Sequence, residues 1–141
     1  MNMQSARAPS TTKLIVVIDD DPLVLDAMGG LLRSWGYRVV SAPSDQAARA
    51  SLAQKRQMPD LIVCDYHLSE GNGIEAIERI RDANASPIPA FLISGDAAPE
   101  RLREARARGY HLMHKPVDPT TLRAMVHEAF GGSLAPGVRK Q

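Results

Sequence analysis

Short apolar runs alternate with amphipathic segments along this chain, and this alternation restricts the fold more than any other feature of the sequence. Five runs have the length and composition of buried strands. They are Leu14–Ile18, Tyr37–Ala42, Leu61–Cys64, Ile88–Ile93 and His111–His114. Each is followed by a helical pattern, and parallel strands need such right-handed crossovers. The sequence therefore predicts an α/β fold: a doubly wound five-stranded parallel sheet with helices on both faces.

The first helical segment shows the pattern most clearly. It opens at Pro22, since proline suits a first helical turn, and it stops at Gly36. Its apolar stripe is expected to consist of Leu23, Met28, Leu31, Leu32 and Trp35. The later helices are expected to open at Pro43-Ser44, near Ile74, at Pro99 and at Asp118.

The composition is that of one globular domain. Apolar residues make up 44% and charged residues 23%, and the net charge is +1, which argues against a general nucleic-acid or membrane-surface binder. No apolar run approaches the roughly 20 residues of a membrane span, and the N-terminus has no signal core, so we expect a cytoplasmic protein. We expect a flexible leader over residues 1–12, one domain over 13–130 and a flexible tail over 131–141.

Polar side chains follow four of the five predicted strands. Asp19 and Asp20 come after the first strand, Asp65 after the third, Ser94 after the fourth and Lys115 after the fifth. The C-terminal ends of parallel strands share one edge of the sheet, so these side chains should converge. Clustered carboxylates need a compensating cation, and oxygen ligands with open positions suit Mg²⁺. A carboxylate can also attack phosphorus. The sequence therefore predicts a site that accepts a phosphoryl group on an aspartate.

The same residues, in this order, make the chain resemble the receiver domain of two-component response regulators. The resemblance covers about residues 13–130. It is carried by Asp19-Asp20 after Leu14–Ile18, Asp65 after Leu61–Cys64, Asn72-Gly73, Ser94-Gly95 and Lys115-Pro116. Each motif alone is common, but the complete ordered set at strand ends is specific. The resemblance implies a flavodoxin-like (CheY-like) fold with strand order 2-1-3-4-5.

The resemblance also implies a role for each site residue. Asp65 would be the phosphoacceptor, and Asp20, Asp65 and the backbone carbonyl of His67 would ligate Mg²⁺, while Asp19 would act through a metal-bound water. Ser94 would be the switch hydroxyl that turns toward the phosphoryl group. Lys115 would pair with the phosphoryl oxygens, and the Lys115-Pro116 bond would be cis.

A phosphorelay function follows from these roles. The phosphoryl group would come from a histidine kinase or a histidine phosphotransfer domain, and a surface of the domain would then shift toward an unknown downstream protein. Such a domain promotes its own phosphorylation and dephosphorylation without being an enzyme acting on another substrate. A phosphorylation-dependent homodimer remains open, and no nucleic-acid or membrane partner is expected. The segment Tyr110–Val117 looks most like receivers attached to hybrid histidine kinases, with a stand-alone regulator as the alternative.

The chain departs from the common receiver pattern at two positions. Leu112 stands where many receivers carry an aromatic switch residue, and Tyr110 is not in register with that position. Ser69 replaces the proline common after the phosphoacceptor. His67 and Asp96 stand at two positions that influence how long the phosphoryl group persists in this family.

Other functions remain open from the sequence alone. A Mg²⁺-dependent aspartyl-phosphate phosphatase would usually place an acid two residues after the nucleophile, where this chain has His67. A flavin-binding module of the same fold would need a phosphate-binding loop after the first strand, where three aspartates would repel phosphate. The arginines near residues 101–108 are expected to be a solvated helix face, with an acidic-partner surface as the alternative.

Overall fold

Five parallel strands form the centre of the molecule. The computed structural model describes residues 12–95 and 99–131. The strands are β1 (Leu14–Ile18), β2 (Arg38–Ala42), β3 (Leu61–Asp65), β4 (Ala90–Ser94) and β5 (His111–His114). They form one sheet in the order β2-β1-β3-β4-β5, and every neighbouring pair is parallel. The predicted sheet and the strand order implied by the resemblance are both confirmed. Residues 1–11 of the expected leader and 132–141 of the expected tail lie outside the described residues.

In the described part of the chain, five helices connect or follow these strands. They are α1 (Pro22–Ser34), α2 (Asp45–Lys55), α3 (Gly73–Asn84), α4 (Pro99–Ala107) and α5 (Pro119–Ala129). Capping side chains begin most of them: Ser44 accepts a hydrogen bond from the N–H of Ala47, and Asp118 accepts one from the N–H of Thr121. Asn72 and Glu75 form a reciprocal capping box at the start of α3. Among the helices described, none is long and apolar enough to cross a bilayer.

The strand limits differ from the predicted ones by one or two residues. Tyr37 precedes β2 instead of opening it, because its N–H donates to the Leu32 carbonyl at the end of α1. The paired ladder of β4 begins at Ala90, after Pro89, which has no N–H to donate.

At the other edge of the sheet, β3 and β4 each run one residue further than predicted. Asp65 pairs with Ile93, and Ser94 pairs with His114. The side chains of Asp65 and Ser94 therefore project from the sheet itself and not from a following loop.

Each face of the sheet has its own apolar core. Along β1, Leu14, Val16 and Ile18 point to one face and Ile15 and Val17 to the other. The first face packs against α2, α3 and α4, and the second against α1 and α5. All five residues of β1, β3 and β4 are buried, as expected for central strands covered on both sides.

The predicted apolar stripe of α1 is wrong at its first member. Leu23 is 78% exposed, whereas Met28 and Leu32 are buried. The face of α1 that packs on the sheet runs instead through the partly buried Leu25, three residues before Met28. Leu23 lies two residues before Leu25, so it points away from the sheet.

An ion-pair cluster around the buried residue Asp45 joins α2 to α3. Asp45 is 7% exposed, and its carboxylate lies 3.1 Å from a guanidinium nitrogen of Arg49 and 3.0 Å from one of Arg79. Burial alone would raise the pKa of Asp45, but the hydrogen bonds from Arg79 and Arg49 outweigh it, and the net effect lowers this pKa. Asp45 therefore stays ionised, and it connects two helices that cover the same face of the sheet.

Candidate functional site

Three carboxylates meet at the C-terminal edge of the sheet. Asp19 and Asp20 follow β1, Asp65 ends β3, and these two strands are neighbours in the sheet. One carboxylate oxygen from each residue lies within 4.8 Å of the others. Asp19 and Asp65 are buried, while Asp20 is exposed to solvent. The predicted convergence of these residues is confirmed.

Lys115 supplies a positive charge to this cluster. Its Nζ atom lies 3.1 Å from Oδ2 of Asp65 and 3.8 Å from Oδ2 of Asp19. Partial burial would lower the pKa of Lys115, but the hydrogen bond to Asp65 and the nearby carboxylates outweigh it and raise this pKa. The ammonium is therefore charged at neutral pH. The cis bond between Lys115 and Pro116 that the resemblance implied is present.

Within the described residues, one lysine faces three carboxylates and leaves the cluster with an excess of negative charge. Burial raises the pKa of Asp19, and the charges of Asp65 and Asp20 add to this, although the N–H of Asp21 and the charge of Lys115 act in the opposite direction. A buried carboxylate whose charged form is disfavoured in this way, next to a second buried carboxylate, suits a site completed by a cation. Because all the donors are carboxylate oxygens, the residues fit a hard divalent metal ion.

Ser94 lies at the same edge, at the end of β4. It is buried, and its carbonyl accepts a hydrogen bond of 3.0 Å from the backbone N–H of Lys115. Since β4 lies between β3 and β5, Ser94 is placed between Asp65, which ends β3, and Lys115, which follows β5. Asp96, which with His67 is expected to influence how long the phosphoryl group persists, lies outside the described residues.

Hydrogen bonds join the two ends of the loop between β3 and α3. The N–H of Gly73 donates to the Tyr66 carbonyl at 2.8 Å, and His67 and Asn72 form an isolated antiparallel bridge. The backbone N–H of His67 also donates to Oδ1 of Asp65 at 3.4 Å. These contacts keep the peptide of His67 next to the phosphoacceptor candidate.

Gly73 is the residue that allows this loop to close on β3. A Cβ atom there would lie 2.5 Å from the carbonyl oxygen of Asp65 and 2.7 Å from Cδ2 of Leu92. Only glycine permits α3 to begin so close to the end of β3.

One contact of the site was missed by the sequence analysis. The hydroxyl of Ser69 donates a hydrogen bond of 2.8 Å to Oδ2 of Asp20, across 49 residues of sequence. In the sequence, Ser69 shows only as a departure from the proline common at this position. The strand order could have indicated the contact, because the loops that follow β1 and β3 are neighbours at one edge.

At the position of the missing aromatic switch, Leu112 is partly buried and packs on the core. Tyr110 is buried elsewhere: its hydroxyl donates to the carboxylate of Glu78, and the guanidinium of Arg81 lies 5.1 Å from the centre of its ring. Burial, together with the hydrogen bond to Glu78, raises the pKa of Tyr110 to about 12. Tyr110 directly precedes β5, and its hydroxyl therefore connects the start of that strand to α3.

The sheet order and the acidic edge with its lysine define the class of receiver domains. The sequence agrees, since residues 15–127 match the family model of the response regulator receiver domain. The chain belongs to this family, whose members interact with histidine kinases or phosphotransfer proteins. The family assignment confirms the resemblance, while the attachment to a hybrid kinase stays a prediction.

Two curated relatives are matched over very different shares of their own length. The chain is 34% identical over 117 residues to the transcriptional regulatory protein ZraR of Escherichia coli strain K12, covering 82% of this chain and 26% of ZraR. It is 33% identical over 116 residues to an uncharacterised 14.6 kDa protein of Leptolyngbya boryana, covering 81% of this chain and 87% of that protein. The chain thus spans about a quarter of the length of the ZraR regulators that it matches.

Solved structures share the fold. A CheY-like receiver domain protein from Methanospirillum hungatei has a TM-score of 0.75 at 24% identity and covers 86% of this chain and 95% of its own. A response regulator receiver protein from Burkholderia phymatum has a TM-score of 0.73 at 25% identity. The match covers 88% of this chain and 99% of that protein. The CheY-like fold class is confirmed.

Proposed function

We propose that Asp65 accepts a phosphoryl group from a histidine kinase or a histidine phosphotransfer domain. The observation that supports this most strongly is the 3.1 Å contact between Lys115 Nζ and Asp65 Oδ2 inside a cluster of three carboxylates. A structural ion pair would need one carboxylate, whereas this edge collects three. The family assignment also favours a phosphoacceptor over the phosphatase and flavin alternatives.

In the proposed reaction, a carboxylate oxygen of Asp65 forms a bond to phosphorus. The bond between phosphorus and the donor imidazole nitrogen breaks, and its electron pair returns to that nitrogen. Lys115 would exchange its contact with Asp65 for one with a phosphoryl oxygen. The charge of the ammonium would then stabilise the negative charge that develops on the phosphoryl oxygens during transfer. Ser94 would donate its hydroxyl hydrogen to another phosphoryl oxygen.

We propose Mg²⁺ as the metal of this site. Asp20, Asp65 and the backbone carbonyl of His67 would hold it, and Asp19 would act through a bound water. When bound, the ion neutralises the excess charge of the carboxylates and of the incoming phosphoryl group. The all-oxygen donor set and the excess negative charge support this choice.

The downstream partner is proposed only by class. The arginines of the α4 region are exposed, and Arg108 pairs with Glu104 at 3.5 Å, which fits a solvated helix face. A protein that reads the phosphorylated state, or a second copy of the domain, would complete the switch.

The proposed function can be tested by incubating the chain with acetyl phosphate and Mg²⁺ and measuring intact mass. We expect one phosphoryl group on the wild type and on Asp82→Asn, a control that changes an exposed aspartate of α3. We expect none on Asp65→Asn, or on the wild type after EDTA. Labelling that survives in Asp65→Asn would contradict the assignment.

A further inference from the structure

The hydroxyl of Ser69 donates a hydrogen bond to the solvent-exposed carboxylate of Asp20. Asp20 is exposed, unlike Asp19 and Asp65, so burial does not restrict its side-chain rotamer. The hydrogen bond from Ser69 Oγ to Asp20 Oδ2 is 2.8 Å long, which is a good length for an O–H···O⁻ bond. Ser69 is not one of the three clustered carboxylates, and this contact restricts the side chain of Asp20.

The loop that carries Ser69 is itself well held. Its two ends are joined by the Gly73–Tyr66 hydrogen bond and the His67–Asn72 bridge, and Leu68 is packed against the core. Ser69 follows Leu68 directly, so its Cα lies next to a partly buried residue that packs on the core. The hydrogen bond therefore joins the exposed carboxylate of Asp20 to a loop whose backbone is held at both ends, and it restricts the rotamer of that carboxylate.

We infer that Ser69 is a positioning residue for the metal site and holds Asp20 ready for the cation. This inference rests on the proposed function. A carboxylate has about four lone-pair directions on two oxygens, so accepting one hydrogen bond from Ser69 leaves acceptors for a metal ion. Residues that hydrogen-bond a metal ligand set its orientation, and removing them weakens metal binding.

Mg²⁺ affinity of the unphosphorylated chain tests the inference without any phosphorylation. Amide resonances would be followed by NMR during Mg²⁺ titration. For Ser69→Ala we expect a Kd about three to ten times weaker than that of the wild type, which corresponds to one hydrogen bond at an exposed site. Ser69→Thr keeps the hydroxyl and therefore the hydrogen bond to Asp20. Its Kd for Mg²⁺ should lie within about twofold of that of the wild type.

Ser34→Ala is the matched control. Ser34 is also exposed, and its hydroxyl donates a 2.6 Å hydrogen bond to the Leu31 carbonyl at the end of α1, in a part of the chain that contributes nothing to the acidic cluster. Its Kd should equal that of the wild type. Melting temperatures in EDTA should be the same for all four proteins, which separates a lost positioning contact from a damaged loop.

Each result has one meaning. A Kd of Ser69→Ala equal to or tighter than that of the wild type would overturn the inference and leave the proposed function intact. Equal weakening in Ser69→Thr, or a lower melting temperature of Ser69→Ala in EDTA, would also overturn it. A wild type that binds no Mg²⁺ would overturn the metal-dependent function and the inference together.

Discussion

Lys115 contacts two of the three clustered carboxylates, and this double contact determines what its removal should do. We expect Lys115→Met to bind Mg²⁺ more tightly than the wild type, because the ammonium no longer competes with the metal for Asp65 and Asp19. Labelling by acetyl phosphate at saturating Mg²⁺ should nevertheless fall about a hundredfold, a loss typical of removing one donor to developing negative charge.

Lys55→Met serves as the control for that change, since Lys55 is an exposed lysine in the last turn of α2. It should leave both the Mg²⁺ affinity and the labelling rate unchanged. Unchanged labelling in Lys115→Met, or weaker Mg²⁺ binding, would show that the lysine does not have the proposed role.

Gly73 is a second residue for which the structure predicts the direction of a change, here a decrease in the free energy of unfolding. In Gly73→Ala the new Cβ would meet the Asp65 carbonyl oxygen and the Leu92 side chain, so either the start of α3 or the end of β3 must move. We expect a loss of about 1–3 kcal/mol in the free energy of unfolding, as for other overpacked sites. Urea denaturation followed by circular dichroism would measure it.

Gly30→Ala is the opposite case in the same protein. Gly30 lies in α1, and a Cβ there would meet nothing within 4 Å. Alanine is a better helix former than glycine, so this variant should gain up to about 1 kcal/mol. If Gly73→Ala and Gly30→Ala changed the free energy of unfolding equally, the close contacts at Gly73 would not explain why glycine stands there.

Among the elements, α2 and α3 are joined by Asp45 with Arg49 and Arg79, and this connection makes stability depend on pH. The pKa of Asp45 is lowered in the folded protein from its ordinary value of 3.8. The contribution of the carboxylate is therefore complete above about pH 4 and is lost as the pH falls through the folded pKa.

The test compares Asp45→Asn with the wild type across pH. We expect the variant to be less stable at pH 7, and the difference in the free energy of unfolding should shrink below pH 3.8. Glu104→Gln removes one partner of an exposed ion pair and should change stability by no more than about 1 kcal/mol at pH 7. A difference for Asp45→Asn that stays constant down to pH 3 would contradict the ion-pair explanation.

For the molecule as a whole, local patterns predicted the sheet and the acidic edge. Apolar runs are a direct signal for central strands, and parallel topology then brings Asp19, Asp20, Asp65 and Lys115 together without further information. Strand limits were less accurate, because the last paired residue of β3 or β4 depends on its partner strand. The role of each site residue came from the family resemblance and stays a proposal.

Long-range polar pairs could not be predicted in the same way. Asp45 is charged and would be expected at the surface, yet it is buried because Arg79 reaches it from another helix. The Ser69–Asp20 and Tyr110–Glu78 contacts likewise join segments far apart in sequence. Such pairs depend on how loops and helices are placed over the sheet, and hydrophobic periodicity carries no information about that placement.

The most direct test of the central claim is to locate the phosphoryl group. The chain would be treated with acetyl phosphate and Mg²⁺, then with borohydride, which reduces an aspartyl phosphate to homoserine, and then analysed by peptide mass spectrometry. We expect homoserine at position 65 and unchanged aspartate at positions 19 and 20. Homoserine at another aspartate, or none at position 65, would contradict the conclusion that Asp65 is the phosphoacceptor.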